Sequence, residues 1–548
     1  MANPSLQIGN DNWAIKEDNL LGYSTAGTRF VPQPITMTRA TLGTRVNPSG
    51  LVEDVELLGS ELVTNGDFDT DSDWTKVNST ISSGKATVTV VGGANSYITQ
   101  TLSYTSGQKY KLTATINGTS GKEIKFQDRG NNSGGLTTTN GTVTLDGSDQ
   151  NIEIYWIANS NSDGIVIARS TTSGDYIFTI DNVSVKEATI DNLPRVDYTD
   201  GTSSLLVEPQ RTNLLTYSED FSDSSWINTY TITPNSIISP DGTLNAYKIT
   251  LGTGNGSLRT LNSVSSNTDY VFSFYAKRGT ASEMKYRVFD FTIPFADIIP
   301  KTSYYSQTNT DSWVRIEVPF TTGASTTSIG CYIDSDSQGD GDFYVWGAQL
   351  EAGSYPTSYI KTSGSTVTRN QETYTKTGIS NLINSEEGVL FVEMAALSDD
   401  GTNRSITLSD GSTNNIIQIL FSSVSNTIRF IIRVGGVGGD NLDKSTSTYT
   451  VTDFNKVALK WKQNDAQVWI NGTQLGSPDT NSDVPTGLND LSFEYLTVGN
   501  NFVGKVKQLQ VYNTALTDEQ LLQLTGTSGT DFYESYAEMA SALTYTIQ

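Results

Sequence analysis

The chain contains no histidine and a single cysteine, Cys331, among 548 residues. Ser-His-Asp and Cys-His triads, histidine-ligated zinc and intrachain disulfides are therefore excluded. Basic residues are also few: 35 Lys and Arg stand against 59 Asp and Glu, a formal charge of −24. Such a balance repels phosphate backbones and anionic lipid, and no Lys/Arg-rich run interrupts it, so no nucleic acid is expected as a partner. Long apolar runs are missing as well. No window approaches the roughly 18 residues of a membrane span, and MANPSLQIGNDNWAIKEDNLLGY has no basic segment leading into an apolar stretch. Neither membrane insertion nor an export signal is expected.

Helical periodicity is scarce too. What recurs between residues 60 and 512 is period-two alternation in short runs, such as KATVTVV (85–91), NIEIYWIA (151–158), YVFSFYAK (270–277), WVRIEVPF (313–320) and NKVALKWK (455–462), separated by Gly, Asn, Ser and Asp clusters. This is the signature of an all-β chain of sandwiches or jelly rolls. At about 150 residues per domain, the length allows three or four.

Two blocks repeat. ELVTNGDFDTDSDW (61–74) aligns with NLLTYSEDFSDSSW (213–226), and DYIFTIDNVSVKEA (175–188) with DFYVWGAQLEAG (342–353). Each pair of ends encloses enough chain for eight to ten strands, which predicts tandem jelly rolls at 58–188 and 213–365. A third sandwich is expected over 366–526, closed by TDEQLLQL (517–524), where Thr517 and Gln520 stand in capping-box spacing and Gly526 is the stop. Residues 1–57 hold Trp13, Ile15, Leu20, Leu21 and Tyr23, too few for a core, and read as an arm that docks on something larger. In the tail, 527–548, Phe532, Tyr536, Met539 and Leu543 share one face of an expected short helix.

Alternation also sorts the aromatic residues. Trp156 shares a face with Ile152 and Ile154, whereas Tyr155 shares the other with Glu153; Phe272 and Phe274 point inward, leaving Tyr275 and Lys277 outward; Trp461 lies with Val457 and Leu459, but Trp469 lies opposite Val468 and Ile470. An aromatic face stacks on the C–H face of a sugar ring while polar neighbours bond its hydroxyls. The ligand-binding candidates are therefore Tyr155, Tyr275 and Trp469, with Glu153, Lys277 and Arg287 as polar company. No catalytic residues are assigned and no enzyme is expected. The acidic cluster DSDSQGDGD (334–342) reads as a solvated hairpin loop.

These stretches carry a family resemblance. GVLFVEM (388–394), VALKWKQNDAQVWINGTQLG (457–476) and GKVKQLQVYNTALTDEQL (504–521) resemble concanavalin A-like lectin sandwiches of the laminin-G type, though without the Glu-x-Asp-x-x-Glu motif of the lectin-fold glucanases. The NGDF start and IDNVSV finish of the first block resemble jelly-roll carbohydrate-binding modules. LLVEPQRTNLLTYSEDFSDSSW (205–226) with FYVWGAQLEAGSYPTSYI (343–360) resembles a module of tailed-bacteriophage virion proteins, head fibres and tail fibres above all. The resemblance implies a virion-surface protein, a head fibre or surface decoration in preference to a tail fibre or receptor-binding protein, whose sandwiches contact host or environmental glycans. It further implies an N-terminal arm bound to other virion proteins and assembly as a homotrimer. The rival readings are a polysaccharide depolymerase and a purely structural virion protein. In phage proteins of this kind TRVNPSGLVE (44–53) is closely followed by a stretch like PRVDYTDGTSSLLVEPQRTNLL, which here begins only at Pro194. Residues 58–188 are thus expected to be an insertion, with 1–57 and 189–212 as neighbours. The carbohydrate-module likeness finally implies a structural Ca²⁺ between Asp67 and Asp181, whose counterparts in the second repeat align as Asp220 and Gln349.

Overall fold

The computed structural model describes residues 3–26, 29–128, 141–158, 164–252, 256–335, 341–436, 441–495 and 501–526. Asp336, Asp340 and the expected tail helix at 527–548 lie outside the described residues. Among the described residues the chain is all-β with one short α-helix, Asp518–Thr525. Residues 56–190 form one compact unit; residues 1–55 and 191–548 form the other.

The unit 56–190 is a jelly-roll sandwich. One sheet has the order Gln150–Ile157, Lys109–Gly118, Tyr176–Thr189, Lys85–Val90, Ser79–Ser82; the other runs Thr142–Thr144, Glu123–Asp128, Ile165–Arg169, Tyr97–Gln100, Thr75–Val77. Alternation in KYKLTATING puts Tyr110, Leu112, Ala114 and Ile116 inward, where they meet Phe126, Trp156, Ile167 and Phe178. Each buried Leu, Ile or Phe among them contributes about 1.5–3 kcal/mol by leaving water.

The second jelly roll repeats this order strand for strand. Val314–Thr321, Asp269–Arg278, Gly341–Ala352, Leu244–Leu251 and Thr231–Ile238 make one sheet, and Ala296–Ser303, Lys285–Asp290, Ser328–Ser335, Ser257–Ser263 and Trp226–Asn228 the other. The sequence repeat is thus a repeat of fixed contacts. The Trp74 indole donates to Asn65 O (3.0 Å) and the Trp226 indole to Tyr217 O (2.9 Å). The Tyr110 hydroxyl accepts from Thr105 N (2.8 Å) and the Tyr270 hydroxyl from Ser265 N (2.9 Å). Each last strand carries a bulge at a residue of positive φ, Asn182 (52°) or Gly347 (61°), after which Val183 N reaches Gly66 O and Ala348 N reaches Ser218 O, both at 2.8 Å. These bulges correct the alignment of the repeats: Asp181 pairs with Thr115 as Trp346 pairs with Tyr275, so the counterpart of Asp181 is Trp346 and not Gln349.

The third sandwich is larger than the segment 366–526. Its back sheet centres on Gly504–Tyr512, flanked by Glu387–Ala395 on one edge and by Leu6–Gly9 and Ser204–Val207 in succession on the other. The long hairpin Asn19–Ala26/Arg29–Thr38 joins the opposite layer through Thr373–Lys376. Leu6, Ile8, Leu20, Ile35 and Met37 are buried in the same core as Trp461, Phe430 and Phe502. The N-terminal arm therefore docks on its own chain, because its apolar alternation completes a sheet that Gly504–Tyr512 would otherwise leave open. Helix Asp518–Thr525 lies over the outer face, capped by the reciprocal Thr517 and Gln520 bonds.

Where the sandwich meets the second jelly roll, five charged side chains are buried together. Arg195 makes a forked pair with Glu372 (2.7 and 2.6 Å) and also reaches Glu208 (2.8 Å); Arg39 meets Glu372 at 2.5 Å, and Arg369 meets Glu208 at 3.0 Å. Ser358 closes the knot, donating through its amide and hydroxyl to Glu208, both at 2.7 Å. The pieces come from TRATLGT, PRVDY, LVEPQR, SYPTSYI and TRNQETY, segments far apart in sequence. Adjacent bonds from Arg195 to Thr44 O (3.0 Å) and from Val46 N to Asp197 (2.9 Å) bring residues 44–46 against 195–197.

Candidate functional site

The six candidates do not form one site. Tyr155 and Glu153 stand on the outer face of their sheet, Trp156 and Ile154 on the inner. They are tied up locally: the Tyr155 hydroxyl donates to Glu56 (2.7 Å), and the Lys111 ammonium bridges Glu56 (2.6 Å) and Glu153 (3.1 Å) while lying 5.2 Å from the Tyr155 ring centre. Burial alone would lower the Lys111 ammonium, but Glu153 and Glu56 outweigh it and lift it above its ordinary value. Within this cluster the Lys111 ammonium and the Tyr155 hydroxyl are already committed to the two carboxylates.

Tyr275 is half-buried against Trp346 (5.4 Å between ring centres) in a small core with Val52, Ala246 and Tyr359, and burial raises its phenol. Outwardness by alternation fails here because the segment around Thr357–Ile360 covers the sheet; even Ser273 is fully buried and bonds Arg315 (3.0 Å). Lys277 donates to Asp311 O (3.1 Å) at the sheet's end. Trp469 is only 8% exposed, because helix Asp518–Thr525 lays Leu521 and Leu524 over it, and its indole donates to Gln467 (2.9 Å). It is a packing residue and presents no face to a ligand.

Asp67 is exposed and its carboxylate accepts from Asp69 N at 3.4 Å, while Asp181 accepts from Asn182 N at 2.7 Å. The NGDF turn does meet the IDNV strand, through Val183 N and Gly66 O. Calcium takes six to eight oxygens, several of them carboxylate. Among the described residues no three acidic, His or Cys side chains gather as a metal-ligating group. Two carboxylates fall short of six to eight oxygens, so main-chain oxygens would have to supply most of a calcium ion's ligands here.

Arg287 leads to a different surface, on the opposite sheet of the second jelly roll from Tyr275. Along Lys285–Asp290, Val288 faces Cys331 and the core, so Arg287 and Phe289 face out. Tyr332 sits between Arg259 and Arg287, which pair with it from the two neighbouring strands, and Gly330 sits likewise between Leu261 and Phe289. The guanidinium of Arg287 lies 4.2 Å from the Phe289 ring centre and 5.6 Å from Tyr332; that of Arg259 lies 5.0 Å from Phe291 and 5.3 Å from Tyr332. Phe289 and Phe291 meet edge to face at 4.9 Å, and Phe295 approaches both within 6.5 Å. Gly330 makes room for this: a Cβ there would stand 2.7 Å from the Phe291 ring. Beyond it the loop exposes Phe295 (62%) and Ile293 (81%). Arg287 is held by Asp297 (2.5 Å), whereas Nη1 of Arg259 is buried without a hydrogen-bond partner.

The result is a face of aromatic rings, partly packed edge to face and interleaved with two guanidiniums, open to solvent at the Phe295 end. Such a face stacks on apolar ring faces and donates hydrogen bonds in the same plane. Sequence reading reached Arg287 but missed its neighbours. The available signal was in YRVFDF (286–291), where Arg287, Phe289 and Phe291 share the face opposite Val288.

Residues 390–522 match the family of the concanavalin A-like lectin/glucanases superfamily. The third sandwich is thus of concanavalin A-like type. No curated protein matches the chain. Among solved structures, the Ruminococcus gnavus IT-sialidase CBM40 bound to α2,3 sialyllactose is 17% identical, over 27% of this chain and 86% of that one, with a TM-score of 0.23. The tandem CBM22-1-CBM22-2 domain of Paenibacillus barcinonensis Xyn10C is 13% identical, over 54% and 98%, at 0.21. Domain 4 of AbnA, an extracellular arabinanase of Geobacillus stearothermophilus solved with arabinotriose, is 16% identical, over 28% and 73%, at 0.24. No function is drawn from likenesses at this level.

Proposed function

We propose that this chain is a non-catalytic, glycan-binding structural protein of a tailed-phage virion surface, assembled as a homotrimer. The observation that carries the glycan reading is the surface of Arg259, Arg287, Phe289, Phe291 and Phe295 around the buried Tyr332, in which aromatic rings and guanidinium donors alternate side by side. Polysaccharide is the extended, ring-faced ligand that such a surface suits. The concanavalin A-like match of residues 390–522 supports the same class of ligand.

The virion reading is supported by the phage-like motifs. Those stretches supply Glu208, Ser358 and their neighbours to the buried ionic knot, so what resembles the phage module is the part that locks a jelly roll to a sandwich. A display protein on a particle needs such rigid joints. Leu6, Ile8, Leu20, Ile35 and Met37 are spent on the chain's own core, which leaves the exposed Leu21, Phe30 and Val31 of the same arm for docking to other virion proteins.

A glycan array probed with the intact protein tests the ligand: hits that disappear in Phe289→Ala/Phe291→Ala at unchanged melting temperature are expected. An array without hits sinks the glycan reading in favour of a purely structural protein, and release of reducing ends from a bound polysaccharide would make it a depolymerase. Electron-microscopy reconstruction of whole virions tests the location, and light scattering the trimer.

A further inference from the structure

Resting on the glycan-binding reading of the same face, we propose that the second jelly roll selects carboxylated sugars, uronic or sialic acid residues within a polysaccharide, with the Arg259 guanidinium as the carboxylate receptor. Three observations converge. First, among the described residues the ion pairs on this face are incomplete. Arg287 has Asp297 at 2.5 Å, but among the described residues Arg259 has neither a salt-bridge carboxylate nor a hydrogen-bond acceptor. The other acid beside the strand, Asp290, is already taken by Thr326 (2.5 Å) and by Thr292 N (2.7 Å).

Second, Arg259 is set in place before any ligand arrives. Its plane is flanked by Phe291 at 5.0 Å and Tyr332 at 5.3 Å, and its strand is paired on both edges, with Trp226–Asn228 and Ser328–Ser335. Little side-chain freedom remains to be lost on binding, and partial removal from water strengthens a charged hydrogen bond. Third, the shape fits. With Nη1 of Arg259 buried, the edge left to a ligand is that of Nε and Nη2, whose two parallel N–H donors match the two oxygens of a carboxylate as a lysine or a lone hydroxyl does not. The rings of Phe289 and Phe295 continue the surface beyond the fork, where the C–H face of the same or the next sugar can stack.

The charge of the whole chain sharpens the test. A protein this acidic repels polyanions in general, so any affinity for an acidic polymer must come from a local receptor. Binding of the intact protein would be measured by calorimetry or biolayer interferometry against sodium polygalacturonate, alginate and polysialic acid. Each is compared with its carboxyl-reduced form, and with dextran, xylan and dextran sulfate. The expected result is binding to at least one carboxylated polymer, with a loss of about tenfold or more on reduction of its carboxyls, and a loss of the same order in Arg259→Gln. Arg259→Lys should recover only part of it, and all variants should melt as the parent does, since the side chain is half-exposed.

Equal binding to reduced and unreduced polymer, or to dextran sulfate and polyuronate alike, overturns the carboxylate selection while leaving glycan binding intact. Binding to no polymer at all, neutral or acidic, overturns both. An Arg259→Gln variant that keeps full affinity for the acidic polymer overturns the assignment of the receptor.

Discussion

Glu208→Gln keeps the shape of a side chain at the centre of the ionic knot and removes one of the two carboxylates that face three buried guanidiniums, those of Arg39, Arg195 and Arg369. The amide can still accept from Ser358 N, so what is lost is chiefly charge. Taking one partner from a buried, hydrogen-bonded ion pair costs about 3–5 kcal/mol. The titration of the group leads to the same size. Burial by itself would raise the Glu208 carboxyl, but Arg369, Arg195 and the bonds from Ser358 outweigh it and hold it down to about 2, against an ordinary 4.5. At about 1.4 kcal/mol per pKa unit, that depression contributes roughly 3 kcal/mol.

The sign follows from which state holds the proton. With the folded value below the unfolded one, the contribution is complete above about pH 4.5 and is lost as pH falls toward 2. Urea unfolding followed by tryptophan fluorescence reads it, since Trp346 is 1% exposed and packs on Tyr359, the residue after Ser358. At pH 7 the variant should be less stable by about 3–5 kcal/mol. At pH 3 the parent should have lost about 2 kcal/mol of that advantage. A deficit under 1 kcal/mol at pH 7, or one that stays the same at pH 3, would refute the view that the knot stabilises the joint through its charges.

Three further outcomes are expected. Cys331 is fully buried in the core of the second jelly roll, and burial pushes its thiol well above the usual range, so Ellman's reagent should label the native protein only at the rate of unfolding; rapid labelling without denaturant would contradict that packing. Gly66→Ala should destabilise the unit 56–190 by about 2 kcal/mol or more, because the added Cβ would stand 1.9 Å from Val183 O, where the first turn bonds the last strand; hydrogen exchange along Tyr176–Thr189 would report it. EDTA should leave the melting midpoint of that unit unchanged, since among the described residues Asp67 and Asp181 recruit no third acidic side chain; a fall of several degrees would restore a calcium ion held largely by main-chain oxygens.

Much of the fold was legible because it is written in local patterns. Alternation sorted Ile154 and Trp156 from Glu153 and Tyr155, and the repeat of the Asp-Phe…Trp entry with its aromatic-rich closing strand announced two tandem sandwiches, which share one strand order. The helix cap was readable from Thr517 and Gln520 alone, since both partners lie three residues apart. The site was far less legible. Alternation tells which face of a strand a residue takes, but not what covers that face. Trp469 and Tyr275 were both turned outward correctly and both lie under other parts of the chain, the one beneath a helix and the other beneath the segment carrying Ser358 and Tyr359.

The sequence by itself determined the class of this protein: without histidine, with one thiol and with strand-period alternation throughout, it is an all-β chain in which the common histidine and cysteine chemistries have no place. Only the tertiary structure decided where its surface is. It folded the N-terminal arm into a core and gathered five ionised side chains from distant segments into one knot. It also placed Arg259, Tyr332 and Arg287 side by side on three neighbouring strands. The physical reason is the same in each case. Secondary structure depends on neighbours in sequence, whereas burial, charge pairing and ligand-facing geometry depend on residues tens to hundreds of positions away, whose meeting no local period encodes.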